Sequence, residues 1–181
     1  MSLAPISFTE KGCATRTDRP VSQLENLRQK ISVMKRDQET GRIFTINLKV
    51  RDYELDQYGV VNNAIYNHYL EHARHEFLAE LGIDAAAVAA SGRSLALSRL
   101  DVTYRASLRS KDHFRVEVFI AKLSGARVGF CQRIHRLPDD TLMLEAMAEA
   151  AFLDEKGRPQ RIQTEHKHAF QLYLMTTHPS L

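Results

Sequence analysis

Hydrophobic and polar positions begin to alternate strictly at Phe44. Phe44, Ile46, Leu48 and Val50 alternate with Thr45, Asn47, Lys49 and Arg51. This period of two, rich in β-branched and aromatic residues, predicts a strand with one buried face. A loop from Asp52 to Val61 follows and contains Gly59. The period then changes. Ile65, Tyr69, Ala73, Phe77 and Leu81 recur at every fourth position, and Tyr66 and Leu70 widen the stripe. That spacing predicts a helix over about residues 64–81 with one flank buried. Asn62-Asn63 supplies its N-cap and Gly82 its stop. Residues 84–90 form a shorter helix ended by Ser91-Gly92.

Four strands are predicted after Gly92. Leu95 to Tyr104 is the first; Phe114, Val116, Val118 and Ile120 define the second; Val128, Phe130, Gln132 and Ile134 define the third. The run Leu142, Leu144, Ala146, Ala148, Ala150 and Phe152 defines the fourth. Its alanines, methionines and glutamates favour helix by propensity. Its alternation and its place in a series of strands decide for strand. Ser124-Gly125 and Pro138-Asp139-Asp140 provide turns, and short connections make neighbouring strands antiparallel. One long helix cannot cover itself, so the pattern predicts an α+β domain in which a curved antiparallel sheet wraps the helix. The domain is expected over residues 43–163. A tail, 164–181, has no predicted structure.

Composition adds limits. The chain has 181 residues, 44% of them hydrophobic and 26% charged, an ordinary globular balance. No run approaches the roughly 18 apolar residues of a membrane-spanning helix. Two cysteines, Cys13 and Cys131, cannot build a disulfide framework, which favours a reducing compartment. Residues 1–42 carry eight Lys/Arg against five Asp/Glu, so the net charge of +3 resides there. Residues 43–181 carry 17 of each sign, which weakens a nucleic-acid reading, since that needs a basic stripe on the folded part. Within 1–42, Ser22 and Glu25 fit a capping box, and Leu24, Leu27, Ile31 and Met34 recur at helical spacing. Two readings stand for this extension: a surface helix, or part of an amphipathic, basic organelle-targeting segment. Its five acidic residues count against the second.

The densest polar cluster is the run from Arg51 to Asn63. Asp56 lies in the loop, Gly59 permits a tight backbone path, and the first N–H groups of the helix lack intrahelical partners at the positive end of its dipole. A carbonyl oxygen held there is polarised as in an oxyanion hole. A nearby carboxylate can attack that carbonyl or deprotonate a water that does. Carboxylate, glycine turn and helix tip together suit acyl transfer, although most aspartates in such a pattern are turn or cap residues.

The stretch Val50-Arg51-Asp52-Tyr53-Glu54-Leu55-Asp56-Gln57-Tyr58-Gly59-Val60-Val61-Asn62-Asn63-Ala64-Ile65-Tyr66 resembles the signature of hotdog-fold thioesterases of the 4-hydroxybenzoyl-CoA thioesterase type. His75-Glu76-Phe77-Leu78, Leu81-Gly82-Ile83 and Leu95 to Tyr104 are similar to plant acyl-lipid thioesterases of the methylketone-synthase type, plastid enzymes acting on acyl carrier protein. The resemblance runs from about Phe44 to Ile162. It implies a hotdog fold: a five-stranded antiparallel sheet wrapped around one long central helix. It implies a homodimer or homotetramer with active sites at the subunit interface. By position, Asp56 matches the catalytic aspartate, as nucleophile or general base. Asn63, through its backbone N–H, matches the carbonyl-polarising position, with Gly59 and Asn62 in support. Longer plant acyl-carrier-protein thioesterases place Asn and His where this chain has Tyr58 and Val60, so Asp56 acts without a histidine from the loop.

The expected activity is hydrolysis of fatty acyl, including 3-oxoacyl, thioesters of acyl carrier protein to free fatty acids. The alternatives are an acyl-CoA thioesterase for aromatic or short chains, and a non-catalytic module that binds acyl thioesters. No cofactor, metal, nucleic acid or membrane span is expected. His68, His72 and His75 share a helix face and Asp52, Glu54 and Asp56 alternate, but both groups read as solvated or ion-paired side chains rather than metal ligands. The plant resemblance implies a plastid location; the alternative is the cytoplasm.

Overall fold

The computed structural model describes residues 41–175 and the backbone of Lys35–Arg36. The helix expected at Ser22 to Met34 lies outside the described residues. The chain runs β1 (Lys35–Arg36), β2 (Arg42–Lys49), a 3-10 turn (Asp52–Glu54), α1 (Asn63–Glu80), α2 (Ala85–Ala90), β3 (Ser94–Tyr104), β4 (His113–Leu123), β5 (Arg127–Leu137), β6 (Thr141–Leu153) and α3 (Thr164–Gln171). Five long antiparallel strands stand in the order β2-β4-β5-β6-β3, and two-residue β1 extends the β2 edge. The run 142–152 is therefore strand: packing on both neighbours overrides its helical propensity.

Register explains how one face becomes core. A single rung crosses the sheet as Phe44, Val118, Gln132, Ala146 and Val102. The next reads Ile46, Val116, Ile134, Leu144 and Tyr104. These side chains face α1, whose Tyr66, Tyr69, Leu70, Ala73, Phe77 and Leu78 are buried. Ile65 and Leu81, expected in the stripe, are only half-buried, so its centre lies one position around the helix. Irregularities in register at Leu97/Arg99, Ile120/Lys122 and Ile134/His135 bend and twist the sheet around the helix. The segment after Ile162 forms α3, which buries Phe170 against Phe77, Phe130 and Phe152. Its helical pattern is too short to read from sequence, and its apolar residues acquire meaning only beside the sheet.

The opposite sheet face carries charge in alternating sign. The rung Glu117, Arg133, Glu145 crosses β4, β5 and β6, with Arg115 and His135 on the adjacent rung. Arg115 Nε donates to Glu117 at 2.9 Å, His135 Nε2 stands 3.6 Å from Glu117, and Arg133 stands 3.6 Å from Glu145. Burial works to raise the Glu117 pKa, but His135 and Arg115 outweigh it and hold the carboxyl at about 2. The group thus stabilises the fold above its ordinary value of 4.5, and that contribution is lost as pH falls toward 2. Glu117→Gln should cost about 1–3 kcal/mol at neutral pH in urea denaturation. It should also flatten the fall of Tm on the acid side of pH 4.5.

Candidate active site

The loop that carries Asp56 is built in two tied stages. Val50 is buried and its N–H donates to Asp112 O at 2.9 Å, which ends β2 against the β3–β4 connection. The chain then turns through Asp52–Glu54, and Glu54 folds inward to 4% exposure. Its Oε2 accepts the Arg51 N–H at 2.7 Å and the Tyr69 hydroxyl at 2.6 Å. Arg51 Nη1 approaches Oε1 at 3.4 Å. Burial first, then the Glu54 carboxylate, raise the Tyr69 pKa, so the phenol stays protonated and donating. A buried carboxylate without such donors is strongly unfavourable. Here both donors are supplied, one by the turn and one by α1.

The second stage carries the candidate groups. Leu55 and Val61 bridge antiparallel, the Asp56 N–H donates to Val60 O at 2.9 Å, and the Gly59 N–H donates to Asp56 O at 3.1 Å. Gly59 sits at φ 70°, a conformation that glycine takes without the steric penalty of a Cβ. Asp56 is half-buried; its Oδ1 accepts the Tyr58 N–H at 2.8 Å. Among the described residues Oδ2 meets no donor. The Asn62 N–H donates to Glu54 O at 2.9 Å, and its Oδ1 caps α1 by accepting the Ala64 N–H at 2.9 Å. Asn63 is the first residue of α1. Its N–H meets no acceptor among the described residues, and its carbonyl accepts the Tyr104 hydroxyl at 3.3 Å.

Each candidate therefore has a definite place. Asp56 presents an oxygen from the start of the turn, Gly59 closes the turn, Asn62 caps the helix, and Asn63 opens the helix tip. Asp52 turns away to Ser110, and Glu54 is committed to Arg51 and Tyr69, so the three alternating acids do not converge. His68, His72 and His75 are exposed on α1, with His72 3.9 Å from Glu76. No group able to hold a metal ion is found among the described residues. Glu54 is ion-paired as expected, with Arg51; its contact with Tyr69 is what sequence reasoning missed. The available signal was Tyr69 on the buried stripe, since a buried hydroxyl needs a partner.

Two cavities flank α1. One, of about 590 Å³, runs past Arg51, Tyr53, Ile65, His68 and Tyr69. The other, of about 340 Å³, lies between α1, α2 and the start of β3. Neither is lined by Asp56 or Asn63. In one chain the loop faces solvent beside β3, an edge strand whose Leu97 and Tyr104 are 47% and 45% exposed.

Residues 50–170 match the model of the thioesterase-like superfamily. Over 129 residues, 71% of this chain, the sequence is 47% identical to the chloroplastic acyl-acyl carrier protein thioesterase ATL3 of Arabidopsis thaliana, 68% of which is covered. It is 30% identical over 130 residues to the acyl-CoA thioesterase YbgC of Haemophilus influenzae, covering 70% of this chain and 93% of that protein. The crystal structure of a 1,4-dihydroxy-2-naphthoyl-CoA thioesterase from Synechocystis superposes with a TM-score of 0.68 at 17% identity, over 71% of this chain and 95% of that one; it establishes the fold.

The open space around Gly59 separates conformation from packing, because a Cβ there meets nothing within 4 Å. Gly59→Ala should still destabilise the protein by about 1–2 kcal/mol, the cost of a left-handed residue. Tyr69→Phe should cost about 1–3 kcal/mol by stripping a donor from a buried carboxylate. Urea denaturation of both variants measures these losses.

Proposed function

We propose, for a chain that belongs to the thioesterase-like superfamily and is a hotdog-fold thioester hydrolase, that its substrates are fatty acyl, including 3-oxoacyl, thioesters of acyl carrier protein. The observation that carries the site assignment is that, among the described residues, an Asp56 oxygen without a donor and a helix N–H without an acceptor share one tied loop. The thioester carbonyl oxygen accepts the Asn63 N–H, and the dipole of α1 stabilises the oxyanion that forms. Asp56 acts in one of two ways with the same placement. As a nucleophile it forms a mixed anhydride that water hydrolyses; as a general base it takes a proton from the attacking water. In both, the carbonyl re-forms, the carbon–sulfur bond breaks, and thiol and free acid leave. Residues 51–63 contain no histidine, so the loop itself offers none to share the proton work.

The carrier assignment rests on the relative from Arabidopsis, whose name states acyl carrier protein. A second reading, coenzyme A as the carrier, is favoured by the Haemophilus relative. We further assign the working form as a homodimer, or a pair of dimers, closed by β3. An exposed edge strand is a template for pairing with a second copy, and two-fold pairing would cover Leu97 and Tyr104 and enclose the loop of each subunit. The plastid is the proposed compartment. Residues 1–42 are the proposed targeting extension and 43–163 the catalytic unit, against which α3 docks through Phe170. The chloroplastic relative supports the location.

Acyl chains of one length presented on carrier protein and on coenzyme A separate the two substrate readings. Asp56→Asn should lower kcat at least a hundredfold with little change in fold. Mutant turnover close to wild type would remove Asp56 from the reaction. Asn63 can be tested through its backbone. Proline is tolerated at the first helical position, and Asn62 already has the extended ψ of 139° that a following proline requires. Asn63→Pro should therefore keep the helix but lower kcat roughly a hundred- to a thousandfold, while Asn63→Ala stays near wild type. A fluorescent fusion of the whole chain should enter plastids and the same fusion without residues 1–42 should not; cytosolic signal from both would overturn the location.

A further inference from the structure

The sheet face turned away from α1 is not polar throughout. Phe119, Cys131 and Met147 form one rung across β4, β5 and β6. Ile43 precedes inward-facing Phe44 in β2, so it points to the same outer side. Phe119 is 0% exposed and Cys131 5%. Thr45, Glu117 and Glu145 on the adjacent rung are buried as well. Yet α1, α2 and α3 pack on the inner face, through Phe77, Val88 and Phe170. The Arg133 guanidinium lies over the Phe119 ring, 5.5 Å from its centroid, and shields one side of it. An antiparallel sheet face that meets water is ordinarily polar. A face that hides a phenylalanine and a thiol needs an apolar cover.

The chain itself supplies one. β1 pairs Lys35 with Ile43 and Arg36 with Arg42, so the N-terminal extension reaches the fold at the β2 edge of this patch. The residues before β1 carry the stripe Leu24, Leu27, Ile31 and Met34, with Asn26 and Gln29 on the opposite side of the helical period. Counted back from Met34, Ile31, Leu27 and Leu24 fall about 5, 10 and 15 Å along a helix. Counted from β2, strands β4, β5 and β6 lie about 5, 10 and 14 Å across the sheet. The stripe therefore matches Ile43, Phe119, Cys131 and Met147 in order. The inner face is already filled by α1 and α3, which leaves the outer one. We propose that residues 22–34 dock as an amphipathic helix on the outer sheet face, with Ile31 on Phe119 and Leu27 on Cys131. The proposal goes beyond the thioesterase function and does not rest on it. It gives the extension a task in the folded protein, since covering this face leaves the β3 edge as the surface open to a second copy.

Cys131 reports on the cover without any turnover. The full chain with Cys13→Ser keeps one thiol, whose reaction with a maleimide is followed by mass under native conditions. Burial pushes that thiol up to about 11, so rates are compared at a single pH. Leu27→Asp with Ile31→Asp should speed labelling at least about tenfold by releasing the cover, while Gln29→Asp leaves it unchanged. Equal rates in the double variant and its parent overturn the docking. So does labelling of the parent that quickens on dilution, which would make a second copy the cover. A second measurement keeps the stripe intact on either side of the test. In the Cys13→Ser chain, Leu27→Cys should be joined to Cys131 of the same molecule by a short bis-maleimide, and Gln29→Cys should not. No link from Leu27→Cys, or equal links from both, overturns the proposed register.

Discussion

The active loop depends on one buried carboxylate. Glu54 gives up water and is compensated from two directions, by the N–H of its own turn and by the hydroxyl of Tyr69 on the central helix. Its carbonyl receives the Asn62 N–H. One residue therefore fixes the entrance of the Asp56 turn, the exit of that turn and the helix that follows. Asp56 and the Asn63 N–H come from neighbouring stretches of backbone, and their separation is as rigid as this tether. Removing a single donor from the cluster would expose a charge to a low-dielectric environment, which is why the arrangement is cooperative rather than a sum of weak contacts.

The rest of the molecule serves to hold the helix where the tether needs it. Rungs of apolar residues cross all five long strands and close on the buried flank of α1. Bends in the sheet let strands at both edges reach the same helix. Leu108 adds a second fixture: its N–H donates to the Tyr66 hydroxyl at 2.8 Å, and its carbonyl accepts the Val61 N–H at 2.9 Å. The loop thus stands on α1 and on the β3–β4 connection, while Asp56, Tyr58 and Gly59 face outward.

Polar groups inside the core are arranged by the same rule of compensation. Gln132 interrupts an apolar rung, yet both ends of its amide are used, one by Leu70 O and one by Arg74. The consequence is a positioned cation beside hydrocarbon. On the outer sheet face, opposite charges alternate across strands and hold Glu117 ionised. The two faces of one sheet thus handle charge differently: the outer face neutralises it internally, and the inner face presents it to a cavity.

Strand and helix positions were legible because periods of two and of about four are properties of local sequence, and burial follows from them once one face is apolar. The run Leu142–Phe152 shows the method at its limit, where alternation had to be weighed against helix-forming residues and sheet pairing then fixed the outcome. The turn at Gly59, the cap at Asn62 and the helix start at Asn63 were legible as well, since each is made within a few residues. The partnership of Glu54 with Tyr69, the pairing of Arg74 with Gln132 and the docking of Phe170 were not. Each joins residues from separate elements, so no local period announces it, and each forms only when the sheet has curved round the helix and taken those groups out of water.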